Sequence, residues 1–328
     1  MNQRLERLPN ESKADYHKRL VFGKLVDKSL ADVDYSELSY YLYGQNYHSD
    51  VARRMIYGSC KTLQLIDDDD KRIAIRILSL SDLHIPFQKP LDTFESYCGK
   101  VDILQLNGDL SDCQAISKFN KAYRISPIEE LISTREYLIE LIDLLKPKTV
   151  VVNYGNHDIR FQNYLSKNLD TDILELMPKT SLELIFEDGF HHYDKRYGSK
   201  TQMVPIKDIF PDVDIRYVDS WYSLIGDTIF CHPFAFSSQP MKTAEKAMEY
   251  FRNEGFAFKT LVMAHTHRIG QYKIGNTTLI EQGCCCDTKQ LHYGDGGLVK
   301  SQKEGFVYLC QDADGHTIPE LTKITYLN

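Results

Sequence analysis

The sequence predicts a layered α/β domain preceded by a small helical extension. Three observations lead there. From Lys71 onward, apolar strand-like runs alternate with helical segments, the pattern of stacked sheets and helices. Residues 1–66 show no such strand pattern and read as short helices. The first three apolar runs each end in a short polar segment rich in Asp, His and Asn, where α/β proteins collect their chemistry. With 42% hydrophobic and 26% charged residues, 328 positions suffice for a large core, which excludes a disordered or low-complexity chain.

In the N-terminal region, Asp34-Tyr35-Ser36-Glu37 opens a helix through Leu38, Tyr41 and Leu42, and Gly44-Gln45-Asn46 breaks it. Ser49 can cap a second helix from Asp50 to about Leu63 that displays Arg53, Arg54 and Lys61. Helix, turn and basic helix match the outline of a helix-turn-helix, so these three are candidate nucleic-acid contacts. The alternative is a helical extension packed on the main domain. Asp67-Asp68-Asp69-Asp70 reads as a solvated linker, which sets the boundaries at 1–70 and 71–328.

Beyond it, Ile73, Ile75, Ile77 and Leu80 belong to a strand that runs into Ser81-Asp82-Leu83-His84. Residues 101–106 form a second strand, ending at Asn107-Gly108-Asp109. Ser126-Pro127-Ile128-Glu129 has the form of a capping box with proline at the first helical position. Its helix carries Ile128, Leu131, Ile132, Leu138, Ile139, Ile142 and Leu145 at helical spacing, and Pro147 closes it. Residues 149–152 form a third strand before Gly155-Asn156-His157-Asp158. Later strands are expected at 228–231, 260–263, 277–281 and 306–311, and a helix over 240–255 with Ala244, Ala247, Met248 and Phe251 on its core face.

The polar strand ends define a candidate metal site: Asp82, His84, Asp109, Asn156, His157, His232, His265 and His267. Carboxylates, imidazoles and an amide oxygen suit borderline divalent ions such as Mn, Fe, Zn, Co or Ni rather than a thiolate site. A carboxylate has two oxygens and can bridge two cations. Asp109, alone on its turn, suits that place, and Gly108 lets the backbone pass close by.

The ordered blocks Asp-x-His, Gly-Asp, Gly-Asn-His-Asp, His and His-x-His resemble the calcineurin-like metallophosphoesterase superfamily over about residues 73–311. Gly155–Arg160 with Ile116-Ser117-Lys118-Phe119 is most similar to its phage-encoded branch. The resemblance implies a double β-sheet sandwich flanked by helices with two metals at the sheet edge. Asp82, His84 and His267 would hold the first, Asn156, His232 and His265 the second, and Asp109 both. His157 would face the scissile phosphate without binding metal. Ala264 and Pro233 replace glycines common in the family.

The implied activity is a binuclear-metal phosphodiesterase in which a metal-bridging hydroxide attacks a phosphoester. Manganese is the first choice of metal, and DNA, RNA or a nucleotide the expected substrate, as for a phage-like nuclease or DNA-processing enzyme. His157, held near Asp158, would stabilise charge or protonate the leaving alkoxide. Asp158 serves either there, as an orienting partner, or as a helix cap. Arg160, Lys118, Lys121 and Arg124 could grip phosphate. A phosphomonoesterase would use the same ligands, and a third reading is a non-catalytic nucleic-acid-binding or regulatory module with a vestigial metal site.

The net charge of −7 argues against a chain-wide basic footprint for nucleic acid. Eight cysteines form no CxxC pair, so a zinc knuckle is not expected. Cys284, Cys285 and Cys286 are expected on a strand in a reducing compartment. No run reaches the ~18–20 apolar residues of a membrane helix, and the N-terminus lacks a secretory core. The expected location is therefore cytoplasmic (the bacterial host cytoplasm if phage-encoded), with no membrane partner.

Overall fold

A computed structural model describes Ser12, Tyr16, Asp70 and residues 72–117, 125–194, 198–291 and 302–327. The chain divides into two compact units, Met1–Ala74 and Ile75–Asn328. In the first, Arg72 closes an ion pair on Asp70 at 2.6 Å. The helices predicted at 34–42 and 50–63, with Arg53, Arg54 and Lys61, lie outside the described residues, as do Lys118, Lys121 and Arg124.

The second unit contains thirteen strands among the described residues: β1 (Ile75–Leu80), β2 (Ile103–Asn107), β3 (Thr149–Asn153), β4 (Phe190–Asp194), β5 (Ser199–Met203), β6 (Asp214–Val218), β7 (Tyr222–Ile225), β8 (Thr228–Cys231), β9 (Thr260–Met263), β10 (Ile269–Ile274), β11 (Thr277–Gln282), β12 (Glu304–Gln311) and β13 (Lys323–Leu327). A six-stranded sheet runs β13-β12-β1-β2-β3-β6 and a five-stranded one β10-β11-β9-β8-β7, with β4-β5 a separate hairpin. Strands β1, β2, β3 and β6 are mutually parallel, as are β8, β9 and β11. The mixed, layered α/β architecture expected for the metallophosphoesterase fold is what the chain adopts.

Alternate residues on each strand face opposite ways. Ile77, Val307 and Leu309 of one sheet meet Phe230, Val262 and Ile280 of the other in one buried cluster. Each such side chain stabilises the pairing by about 1.5–3 kcal/mol. On the outer face of the six-stranded sheet, Leu78, Leu104, Leu106, Val150 and Val152 pack with Leu138, Leu141, Ile142 and Leu145 of helix α1 (Pro127–Leu145). On the outer face of the five-stranded sheet, Ile229, Leu261 and Leu279 pack with Ala244, Ala247, Met248 and Phe251 of a second long helix (Lys242–Asn253), the face read from the sequence.

Two local expectations are corrected. Ser126 precedes α1 but its side chain makes no capping bond; the backbone carbonyl of Ser126 instead accepts from the Glu130 amide at 3.0 Å. The acidic residue of the box, Glu129, stays exposed, and it is the next residue, Glu130, that is buried and accepts the Gln114 amide at 3.0 Å. The consecutive cysteines do not lie in a strand: β11 ends at Gln282, and Cys284 and Cys286 make isolated bridges to Glu304 and Gln88. Gly283, at φ +83°, turns the chain there.

The sandwich is not purely apolar. Ser79 Oγ donates to Gln282 Oε1 at 2.8 Å, Ser223 Oγ to Gln105 Oε1 at 2.9 Å, and Gln105 Nε2 to Asn153 Oδ1 at 2.7 Å. Asn153 Nδ2 in turn reaches Asn107 Oδ1 at 2.9 Å. These buried bonds tie the sheets together beside the carboxyl ends of β2 and β3. A buried polar group is tolerated only when satisfied, so the network also fixes the sheets' relative register.

Candidate metal centre

Each candidate ligand sits just past the carboxyl end of a parallel strand: Asp82 and His84 after β1, Asp109 after β2, Asn156 after β3, His232 after β8, and His265 and His267 after β9. Turning side chains inward in so few residues requires unusual backbone. Asp82, His84, Asp109, His265 and His267 all have φ between +46° and +80°. This region disfavours L-residues, and such conformations cost of order 1–3 kcal/mol each, so the surroundings must hold them. Gly108 and Gly155 permit the close approach. A Cβ on Gly108 would lie 2.7 Å from both the Gly155 amide nitrogen and His232 Nδ1, and one on Gly155 would strike the Asp109 carboxylate. At one of the two departures from the family pattern, Ala264 passes its amide to the Cys231 carbonyl, and the left-handed turns fall on His265 and His267.

The side chains converge in two groups. The ligand atoms of Asp82, His84 and His267 lie within 4.8 Å of one another, and so do those of Asp109, His232 and His265. His84 Nε2 and His267 Nε2 are 3.1 Å apart, and His267 Nε2 is 3.1 Å from Asp82 Oδ1. Two imidazole nitrogens that close need a proton or a cation between them. Asp109 Oδ2 lies 3.2 Å from His232 Nε2 and 3.9 Å from His84 Nε2, facing both groups. Asn156 Oδ1 is buried with no hydrogen-bond partner among the described residues. A buried acceptor left so is costly unless a ligand fills the place. The donor set and these unmet demands fit divalent cations.

The electrostatics agree. Burial alone would lower the His232 pKa, but the Asp109 and Asp82 carboxylates outweigh it and raise it to about 9. The same imidazolium, with His157, holds Asp109 well below the ordinary carboxylate range despite its burial. His265 moves the other way, down to about 4, through burial and the charge on His232. Protons thus occupy positions where the acid-rich cluster calls for positive charge.

His157 lies beside this cluster, its amide donating to Asp109 Oδ1 at 2.7 Å. Its ring is not held by Asp158. The carboxylate beside it is Asp112, whose Oδ1 is 3.0 Å from His157 Nδ1 and 3.3 Å from His84 Nδ1. Asp158 Oδ2 instead accepts the amides of Asp109 and Gly155, both at 2.8 Å, which ties the loops after β2 and β3 together. Burial and the nearby Asp109 charge raise its pKa to about 7. Adjacent in sequence, Asp158 points to backbone because it sits inside the turn. Asp112 went unnoticed in the sequence because Leu110 and Ser111 separate it from Asp109 with no motif spacing. Arg160 heads a short helix (Arg160–Leu165) and donates to the Asp112 carbonyl at 2.9 Å and to His157 Nε2 at 2.8 Å.

Two features rim the centre. A cavity of about 470 Å³ is lined by Asn156, Arg160, Asn163, Tyr164 and Lys167, among others. On the other side Phe236, 55% exposed, sets its ring 6.5 Å from that of His265. The Arg268 guanidinium stands 4.8 Å from the Phe236 ring centroid and donates to the carbonyls of Ser237 and Gln239, which holds this loop.

Among the described residues, no helix is long and apolar enough to cross a membrane. No curated protein matches the sequence. Similar solved structures include Vps29 complexed with zinc from Entamoeba histolytica, at 13% identity over 77% of this chain and 100% of that one, TM-score 0.37. A novel archaeal phosphodiesterase gives the same values, and Vps29 from Cryptosporidium parvum gives 13% over 78% and 99%, TM-score 0.36. The profile of the calcineurin-like phosphoesterase family matches residues 75–268, which span all seven candidate ligands and His157. With well over half its length matched, the chain belongs to the calcineurin-like phosphoesterase family.

Proposed function

We propose that this chain is a phosphodiesterase dependent on two divalent cations and acting on nucleic acid or nucleotides. One observation carries the reading: Asp109 Oδ2 faces His232, His84 and His157, with 3.8 Å to the Nε2 of the last. Asp82, His84 and His267 would hold one cation, Asn156, His232 and His265 the other, with Asp109 shared. Bound there, two cations supply a water acidic enough to attack near neutral pH and positive charge for the phosphate oxygens. Manganese is the first choice, and Fe, Zn, Co or Ni suit the same donors.

The chain's own groups supply the rest. Asp112 holds His157 Nδ1, which leaves Nε2 as the atom turned toward Asp109 and Arg160. As it stands Nε2 accepts from Arg160; with Arg160 turned onto a substrate phosphate, that nitrogen would be the one to carry a proton to the departing alkoxide. Arg160 stands at the cleft beside Asn156, where a planar guanidinium suits phosphate oxygens. The exposed Phe236 face and Tyr164 in the cleft suit stacking of bases, which favours a nucleotide-bearing substrate. Within that reading we assign the chain a nuclease or DNA-processing role, with Arg53, Arg54 and Lys61 as auxiliary contacts.

A bis-aryl and a mono-aryl phosphate, each with manganese and with chelator, provide the test. Chelator-sensitive hydrolysis of the diester is expected. Monoester turnover alone would make the chain a phosphomonoesterase, and none on either would make it a binding module. Single- and double-stranded DNA, RNA, cyclic nucleotides and nucleoside monophosphates then assign the substrate. Arg53→Ala, Arg54→Ala and Lys61→Ala combined should weaken DNA affinity if the N-terminal region makes contact.

A further inference from the structure

Cys284 and Cys286 have no part in the site described above, yet the structure brings both thiols to its edge. After the Gly283 turn, the amide of Cys285 bonds the Ser81 carbonyl at 3.0 Å and its carbonyl accepts from Lys89 at 2.8 Å. The two bonds anchor Cys285 at a bend, with its side chain in one cluster and those of its neighbours in another. Cys285 joins the core beneath α1, whereas Cys284 and Cys286 share a small cluster with Leu291 and Phe87. Both are fully buried, and neither is in a disulfide. Their sulfurs and a ring nitrogen of His267 lie within 4.8 Å of one another.

We propose that Cys284, Cys286 and His267 form a separate site for one thiophilic cation of the Zn²⁺ class. Two thiolates and an imidazole make a soft donor set, unlike the oxygen-rich set beside it. Zinc bonds of about 2.3 Å to sulfur and 2.0–2.1 Å to nitrogen place tetrahedral donors roughly 3.5–3.8 Å apart. The present spacing is within about 1 Å of that, a movement side-chain rotation can supply. Three protein donors leave a fourth position for water or another small ligand. His267 Nε2 already faces Asp82 and His84, so Nδ1 is the nitrogen left for the sulfur site. The imidazole ring would then link the soft site to the hard one. Binding forms two metal–sulfur bonds and one metal–nitrogen bond, and the thiol protons of Cys284 and Cys286 pass to solvent. When a cation also engages Nε2, the remaining ring N–H proton leaves as well.

The test is a Cd²⁺ titration of the full chain preloaded with Mn²⁺, read by the ultraviolet thiolate-to-cadmium charge-transfer band. Oxygen and imidazole donors give no such band, so the outcome is independent of whether the phosphodiesterase reading holds. One equivalent of band is expected, lost in Cys284→Ser and in Cys286→Ser and kept in Cys98→Ser, where the thiol is exposed. Absence of the band in the native chain, or its persistence in either of the first two variants, would overturn the proposal. Should those variants misfold, zinc-edge X-ray absorption of the native zinc-loaded chain decides: a zinc population with two sulfur neighbours supports the site, and a shell of only nitrogen and oxygen rejects it.

Discussion

The two sheets make unequal contributions to the centre. The six-stranded sheet delivers all its carboxylates, Asp82 and Asp109, together with His84, Asn156, His157 and the supporting Asp112. The five-stranded sheet delivers only imidazoles: His232, His265 and His267. The first half is therefore acidic and the second basic or neutral, and each half sets the protonation of the other. His232 holds a proton because carboxylates of the opposite sheet face it, whereas His265, farther from them, is discharged by burial and by His232. The centre exists only where the two sheet edges meet, so the polar bonds between them matter as much as the ligands.

The comparison is most sharply tested at Asp109, which comes nearer His232 Nε2, at 3.2 Å, than Asp82 does, at 3.8 Å. Asp109→Ala should remove metal binding and lower diester turnover by about a thousand-fold, given that metal stabilisation of transition-state charge is worth several kcal/mol. Metal content and hydrolysis rate measure it, and a variant that retained both would break the idea of a shared oxygen. Next come the groups of the acidic half that bind no metal. His157→Ala should keep its metals and lose about a hundred-fold or more in turnover. Asp112→Asn, which loosens His84 and His157 together, should cost about 10–100-fold and also weaken metal affinity.

The basic half predicts a pH effect. In the metal-free protein His232 stays protonated up to about pH 9, and a cation must displace that proton. Metal affinity should therefore rise with pH, by about tenfold per unit for one proton, and calorimetry at several pH values measures it. The stability sign is opposite. Because the folded value lies above the ordinary 6.5, this imidazolium stabilises the metal-free fold fully below pH 6.5 and loses that effect as pH climbs through about 9. A metal affinity that did not change with pH would mean that the carboxylates do not charge His232. The smallest effect is expected at the seam between the sheets: Gln105→Leu should cost about 1–3 kcal/mol of stability by leaving Asn153 and Ser223 poorly paired, measurable by denaturant unfolding.

How much was readable in advance differs residue by residue. Asp82, His84, Asp109, His232, His265 and His267 could be read because each follows an apolar run directly, and a strand end is a local feature. The core face of the helix carrying Ala244 and Phe251 was readable for the same reason, through its period. Asp112 was not, because its value lies in touching two histidines that are 28 and 45 residues away. Nor was the true partner of Asp158, which is the backbone of two loops. The Ser126–Glu129 pattern was a sound local signal for where the helix starts, yet Ser126 makes no side-chain cap there, and the carboxylate that tertiary packing uses is Glu130, one residue past the box.

By itself the sequence determined the alternation of strands and helices, the family, and which side chains end the strands, since all of these are written in neighbouring residues. Only the tertiary structure decided the rest: left-handed turns that aim the ligands inward, carboxylates facing both groups, and thiols drawn beside His267. Those outcomes depend on distances between segments far apart in the chain, and such distances are set by how two twisted sheets pack, not by any local run of residues.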